Sequence, residues 1–214
     1  MNKEEFINNL KELNIYLTEK QYVQLNKFYE LLIEWNNKIN LTRITEKEEV
    51  YLKHFYDSLT ITKVIDLNEV NTLCDVGTGA GFPGIVLKIC YPNLNVTLID
   101  SLNKRVNYLN SIINELELTN IKAIHTRGED YKYKFDVVTS RAVANIKKLV
   151  KYTMHLVDKN GKMIAMKGDI EKELDNDVKN NISKKYNIEK ILKFNLPIEN
   201  SKRSLIVITN KKSN

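Results

Sequence analysis

Asp75-Val76-Gly77-Thr78-Gly79-Ala80-Gly81-Phe82-Pro83-Gly84 is the stretch whose reading decides the fold. It holds four of the seven glycines of a 214-residue chain. Thr72-Leu73-Cys74 runs into it as the start of a short buried strand. Pro83 suits the first turn of a following helix, where a missing N–H costs nothing. Strand, glycine turn and helix together form a cradle for a phosphate or a nucleoside, because glycine lets the backbone approach closely.

Gly79-Ala80-Gly81-Phe82-Pro83-Gly84 satisfies G-x-G-x-x-G, the dinucleotide fingerprint, yet alone that match is weak. Asp75, two residues ahead of Gly77, has no role in holding a pyrophosphate. A carboxylate there either sits beside a cationic ligand or orders the loop. A second acid closes the next apolar run, Asn95-Val96-Thr97-Leu98-Ile99-Asp100. Placed at a strand end, Asp100 is positioned to accept hydrogen bonds from both hydroxyls of a ribose. An acid–glycine loop followed by a strand-end acid resembles the S-adenosylmethionine site of Rossmann-like methyltransferases.

Outward from that anchor the chain alternates strand and helix. Upstream, residues 3–13 form an amphipathic helix. The capping box Thr18-Glu19-Lys20-Gln21 then opens a helix with Tyr22, Leu25, Phe28, Leu32, Trp35 and Ile39 on one stripe. Thr45-Glu46-Lys47-Glu48 reads as a second capping box, opening a helix to about Val64. That helix carries His54 and Asp57 on one face, which either pack or form a polar pair. Downstream, helices are expected over 83–91, 103–117, 145–157 and 169–185. Strands are expected over 95–99, 121–125, 135–139 and 162–166, with 188–194 and 204–209 as an antiparallel pair. The pattern predicts an α/β fold with a doubly wound, mainly parallel sheet, an antiparallel final strand and an N-terminal helical extension. Residues 1–68 make the extension and 69–214 the sheet domain. Asp75, Asp100, Glu129, Arg141 and Lys167 end five successive strands, facing one crevice.

Composition narrows the class. No apolar run is long enough to span a membrane and no signal peptide opens the chain, so a cytoplasmic protein is expected. Cys74 and Cys90 lack metal-ligand spacing and read as reduced core residues; no metal site is expected. The net charge of +6 is uneven: residues 141–214 hold 17 basic and 8 acidic side chains. This excess suits a polyanion-facing surface, although the chain also uses lysine as its default surface residue. Only five arginines stand against 28 lysines: Arg43, Arg105, Arg127, Arg141 and Arg203. Where lysine is the default, arginine marks planar or bidentate recognition.

The ordered motifs resemble one bacterial family. They are Asn40-Leu41-Thr42, His54-Phe55-x-Asp57-Ser58-Leu59, the glycine loop, and Asp100-Ser101-x-x-Lys104-Arg105. Arg127-x-Glu129, Ser140-Arg141-Ala142, Lys167-Gly168 and the late Arg203 complete the set. Over residues 40–210 the chain resembles the glucose-inhibited division protein B family, the small-subunit (16S) ribosomal RNA guanine-N7 methyltransferases. Gly128 departs from the family's usual alanine, and the segment 130–135 is short. The resemblance implies a Rossmann-like class I methyltransferase that uses S-adenosyl-L-methionine and releases S-adenosyl-L-homocysteine. It places cofactor contacts on Gly77, Gly79, Phe82, Gly128, Glu129 and Arg141, with Asp100 on the ribose and Asp75 near the methionine end. Arg127, Lys167 and Arg203 fall where RNA is met, and Arg141 and Lys167 at the catalytic positions. The implied partner is small-subunit rRNA or the 30S subunit, met by a monomer with no membrane. The alternative is a methyltransferase acting on another RNA, a protein or a small molecule.

Overall fold

The computed structural model describes residues 1–142 and 144–211. Two helices open the chain, α1 (Lys3–Glu12) and α2 (Glu19–Ile39). Both begin with complete capping boxes, Asn2 with Glu5 and Thr18 with Gln21. Asn40, in left-handed backbone, ends α2. The next helical stretch differs from the regular helix expected. It runs as α3 (Lys47–Val50), a π-helical turn (Tyr51–Tyr56), α4 (Asp57–Leu59) and a 3-10 turn (Thr60–Lys63). The second capping box does not form, because α3 starts after Glu46 with no side-chain cap. The wide turn carries His54 and ends just before Asp57, and both side chains meet residues of the sheet domain there, a common setting for a π-bulge.

The sheet comprises β1 (Thr72–Val76), β2 (Asn95–Asp100), β3 (Ile121–His125), β4 (Phe135–Arg141), β5 (Val157–Lys167), β6 (Tyr186–Asn195) and β7 (Lys202–Asn210). Its order is β3-β2-β1-β4-β5-β7-β6. All pairs from β3 to β5 are parallel, and β7 runs against both β5 and β6. The helices α5 (Gly84–Cys90), α6 (Asn103–Glu115), α7 (Ile146–Thr153) and α8 (Asn176–Lys185) connect them. The expected fold class is the one observed.

Alternation along the strands divides the core in two. Leu73, Val96, Leu98, Val137, Ile164 and Val207 face α5, α6 and the N-terminal helices, in one cluster with Phe6, Phe28, Phe55 and Tyr108. Cys74, Val76, Ile99, Val138, Met163 and Ile206 face α7 and α8. The helices before residue 68 thus share a core with the sheet. Two further elements differ from expectation. The helix expected over 169–185 starts only at Asn176, capped by Asp175, and Ile170 and Leu174 anchor the turns before it. β5 begins earlier, because Gly161 admits a close approach: a Cβ there would lie 2.7 Å from the carbonyl oxygen of Phe135.

Candidate active site

The carboxyl ends of β1, β2, β3, β4 and β5 surround the glycine loop. Gly77, Gly79 and Gly81 all take positive φ, 71°, 60° and 93°, which L side chains resist. The loop is tied to the end of β2: the Gly77 and Thr78 amides donate to the Ile99 carbonyl at 2.8 and 3.1 Å. Asp75 lies beneath it, wholly buried. Its Oδ2 accepts from the Thr78 hydroxyl at 2.6 Å and the Gly84 amide at 2.9 Å, so it orders the loop and caps α5. Burial pushes its pKa up to about 6, against those two hydrogen bonds. Its Oδ1 is buried without a partner, an unspent acceptor under the loop.

Asp100 sits across the loop. Its Oδ2 accepts from the Gly79 amide at 3.0 Å and its Oδ1 from the Leu102 amide at 2.9 Å, with Arg105 3.5 Å away. It lines a pocket of about 250 Å³ together with Val76, Gly77, Gly128, Glu129 and Tyr152. Arg127, exposed, stands at the same pocket's edge. A 3-10 turn, Gly128–Asp130, delivers Glu129 there directly after β3. At Gly128 a Cβ would come within 2.7 Å of Val76 Cγ1, so the glycine and that valine rotamer go together. The short segment 130–135 does not form this wall. It leads away to the start of β4, where Tyr131 and Tyr133 line a separate groove.

A second cleft, of about 280 Å³, opens on the other side of the loop. Arg141, from the end of β4, and Arg203, from β7, meet there on one buried acid. Asp57 Oδ2 accepts from Arg141 Nη1 at 3.1 Å, and Oδ1 from Arg203 Nε at 3.0 Å. Arg141 also donates to the Lys53 carbonyl at 3.0 Å and, through Nη2, to His54 Nδ1 at 3.1 Å. That bond makes Nδ1 an acceptor, so Nε2 carries the ring proton toward Thr42 Oγ1, 2.9 Å away. Burial, with Arg141 beside it, drives the His54 pKa down to about 3. The ring is neutral and both nitrogens are engaged.

Phe82 packs behind the second cleft. Its ring stacks on His54 at 4.5 Å, and the Arg141 guanidinium lies 5.1 Å from its centre. At 5% exposure its side chain belongs to the helical layer, and Phe82 does not line the first pocket. Lys167 lines the second cleft, but its ammonium is committed to Glu173 at 2.8 Å and to the Ala144 carbonyl. Glu173 in turn accepts from the Ile146 amide and fixes the start of α7. Sequence reasoning missed Glu173, one acid in a charged segment, and the Lys53 carbonyl, which no side-chain motif reveals. Thr42 lies inside the Asn40-Leu41-Thr42 motif, yet its pairing with His54 was legible only in three dimensions.

The residues around the first pocket fit a nucleoside carrying a cationic group. Asp100 offers carboxylate oxygens, Gly77 and Gly128 leave room, Val76 and Tyr152 give apolar walls, and Asp75 Oδ1 is an unpaired anion beneath the loop. Sheet order, glycine loop and strand-end acid together define a Rossmann-like, S-adenosylmethionine-dependent methyltransferase. Solved structures share the fold. A SAM-dependent methyltransferase from Aquifex aeolicus superposes with a TM-score of 0.57 at 16% identity, covering 76% of this chain and 93% of the other. A mutant form of MtNAS in complex with S-adenosylmethionine gives 0.59 at 13% identity, covering 90% and 76%.

The chain belongs to the GidB family, described as rRNA small subunit methyltransferase G, whose model matches residues 21–206. It is 47% identical to the ribosomal RNA small subunit methyltransferase G of Bacillus subtilis (strain 168), over 97% of this chain and 90% of the relative. Its identity to the protein of that name from Macrococcus caseolyticus is 53%, over 78% and 73%.

Proposed function

We infer that this enzyme transfers a methyl group from S-adenosylmethionine to N7 of a guanine in small-subunit ribosomal RNA. The observation that carries the reading is the second cleft: two arginines held on one acid, beside the cofactor pocket, with no free base among the described residues that line it. Bound in the first pocket, the cofactor supplies an electrophilic methyl on a sulfonium. Asp100 and Glu129 hold its ribose side, and the Gly77–Gly81 backbone makes room for it. Guanine N7 keeps a free lone pair at neutral pH, so no proton leaves before attack. The chain's task is alignment and charge placement.

Arg203 is the donor best placed for the acceptor. Its Nε and Nη1 are spent on Asp57, Ser201 and the Lys202 carbonyl, while its Nη2 makes no hydrogen bond among the described residues. Arg141 and Lys167, both bound to protein partners, act as positioning residues in this reading: one fixes the Asp57 wall, the other the β4–α7 loop. Residues 1–68 form an extension whose contribution is that wall. In A-form RNA the major groove, where N7 lies, is too deep and narrow to enter, so the target is unpaired or turned out of its stack.

The test is transfer of labelled methyl from S-adenosylmethionine to small subunits from cells lacking this protein. Borohydride and aniline treatment, which cleaves RNA at 7-methylguanosine, then locates the product. Label without cleavage would move the acceptor to another atom, and no label would favour another RNA, a protein or a small molecule.

A further inference from the structure

The connection from β3 to β4, residues 126–134, contains only the turn Gly128–Asp130. Parallel crossovers ordinarily carry a helix across the sheet. β2 and β1 lie between β3 and β4, so this connection passes both without covering them with a helix. The register reports the consequence. Lys122 of β3 pairs with Thr97 of β2, which pairs with Cys74 of β1. A lysine therefore occupies the sheet face that elsewhere forms the α7–α8 core, and it is exposed. A parallel sheet covered on both faces has no place for it.

The uncovered face forms a groove of about 430 Å³ at the start of the strands, away from the glycine loop. Tyr131 and Tyr133 form one wall, their ring centres 5.2 Å apart, and Tyr133 is 70% exposed. Lys122 Nζ lies 5.9 Å from the centre of the Tyr133 ring. Among the described residues, the only charged side chains lining the groove are Lys122 and Lys134, and the exposed Lys132 adjoins it. Lys134 is spent on the His155 and Val157 carbonyls, which leaves Lys122 and Lys132 as the available cations. Asn95 and Asn120 supply amides at the rim. An exposed ring beside cations, with no acid in the described lining, complements a base and its phosphates. A second copy of this chain fits poorly, because it would bring lysines against lysines and a net charge of +6 against +6.

We propose that this groove is a second RNA-binding site, in which an unpaired base stacks on Tyr133 and the flanking phosphates meet Lys122 and Lys132. The proposal rests on ribosomal RNA being the substrate. Strands of this length span about 17–20 Å, so one folded RNA can occupy this groove and the acceptor cleft together.

The test compares the native protein with the Tyr133→Ala/Lys122→Ala variant. It measures affinity for naked small-subunit rRNA and for assembled subunits by anisotropy, cofactor affinity by calorimetry, and steady-state methylation. The expected loss of RNA affinity is about tenfold, with KM raised alike and kcat and cofactor affinity unchanged. The slope of log affinity against log salt should fall by about one. Tyr133→Trp and Lys122→Arg should retain native affinity, which a merely structural role would not predict. Unchanged affinity for naked RNA overturns the proposal. So does a loss confined to assembled subunits, which would give the groove to a ribosomal protein. A native enzyme that binds RNA yet methylates no subunit would fail the proposed function without deciding the groove, which the affinities decide by themselves.

Discussion

The two clefts beside the glycine loop are built in opposite ways. The pocket proposed for the cofactor is local: its lining comes from residues 76–77, 99–101 and 126–129, with Leu149 and Tyr152 closing it. Its key carboxylate, Asp100, is held by backbone amides. The cleft proposed for the acceptor is assembled from distant parts of the chain, residues 53–60, 141–142, 166–168, 194 and 203–205. Its key carboxylate, Asp57, is held by side-chain cations. A local pocket is supported by the sheet ladder. A cleft made from distant segments depends on the ion pairs that bring those segments together.

Asp57→Ala should break this comparison most sharply. It would leave two arginines, 15% and 22% exposed, sharing a cleft without their acid. Stranding buried charge costs about 3 kcal/mol or more, to be read as a lower urea midpoint. Cofactor affinity, measured on the folded variant by calorimetry, should barely move. A large loss of cofactor binding would mean that the two clefts are not energetically separate.

Asp100→Ala is expected to act on the other side. Losing an ionised acceptor for ribose hydroxyls should cost about 2–3 kcal/mol of cofactor binding. The loop adds a second effect: the Gly79 and Leu102 amides lose their acceptor, so stability should fall by about 1 kcal/mol as well. Unchanged cofactor affinity would remove Asp100 from the ribose.

This asymmetry also explains what could be read in the sequence. The cofactor side was legible because its geometry is written in short motifs: an acid before a glycine loop, an acid at the next strand end, and Arg127-x-Glu129 after the third. The mainly parallel sheet followed from the βα alternation, though its strand order did not. The acceptor side was legible only as a set of residue types. That Asp57 bridges Arg141 and Arg203 depends on β7 entering the sheet beside β5, which no local pattern encodes. The same holds for Lys167, whose partner Glu173 lies in a segment expected to be helix. The irregular turn at Tyr51–Tyr56 was missed because its side-chain spacing looks helical, while its backbone follows contacts made across the fold.

A smaller effect should follow from Gly128→Ala. The added methyl meets Val76 Cγ1, so overpacking should cost about 1 kcal/mol. In a Val76→Ala background the same substitution should cost less if the clash is the cause. Thermal unfolding of the native protein, both single variants and the double variant measures it, and an equal cost of Gly128→Ala in both backgrounds would put the strain elsewhere.

The smallest expected effect is on the pH dependence of catalysis, and it bears on the acceptor cleft alone. His54 is the histidine nearest the arginine pair, and both its ring nitrogens are hydrogen-bonded. With its pKa pushed down to about 3, it takes up no proton in the neutral range. Single-turnover methylation at saturating RNA should therefore stay flat between about pH 6.5 and 8.5. A bell near the ordinary histidine pKa, abolished by His54→Gln, would show a base at work and an acceptor that carries a proton. Stability, by contrast, should respond in acid. The depressed His54 pKa contributes stability above the ordinary histidine value, which is lost as pH falls toward 3. Asp75 has the opposite sign: its raised pKa favours the folded state at low pH, and that contribution is lost as pH rises through about 6. Between about pH 4 and 6 the two slopes oppose each other. Replacing His54 by Gln removes the rising one, so urea midpoints of the variant, relative to the native protein, should fall as pH increases across that window. A difference that stays constant with pH would mean that His54 is not held neutral by Arg141 and burial.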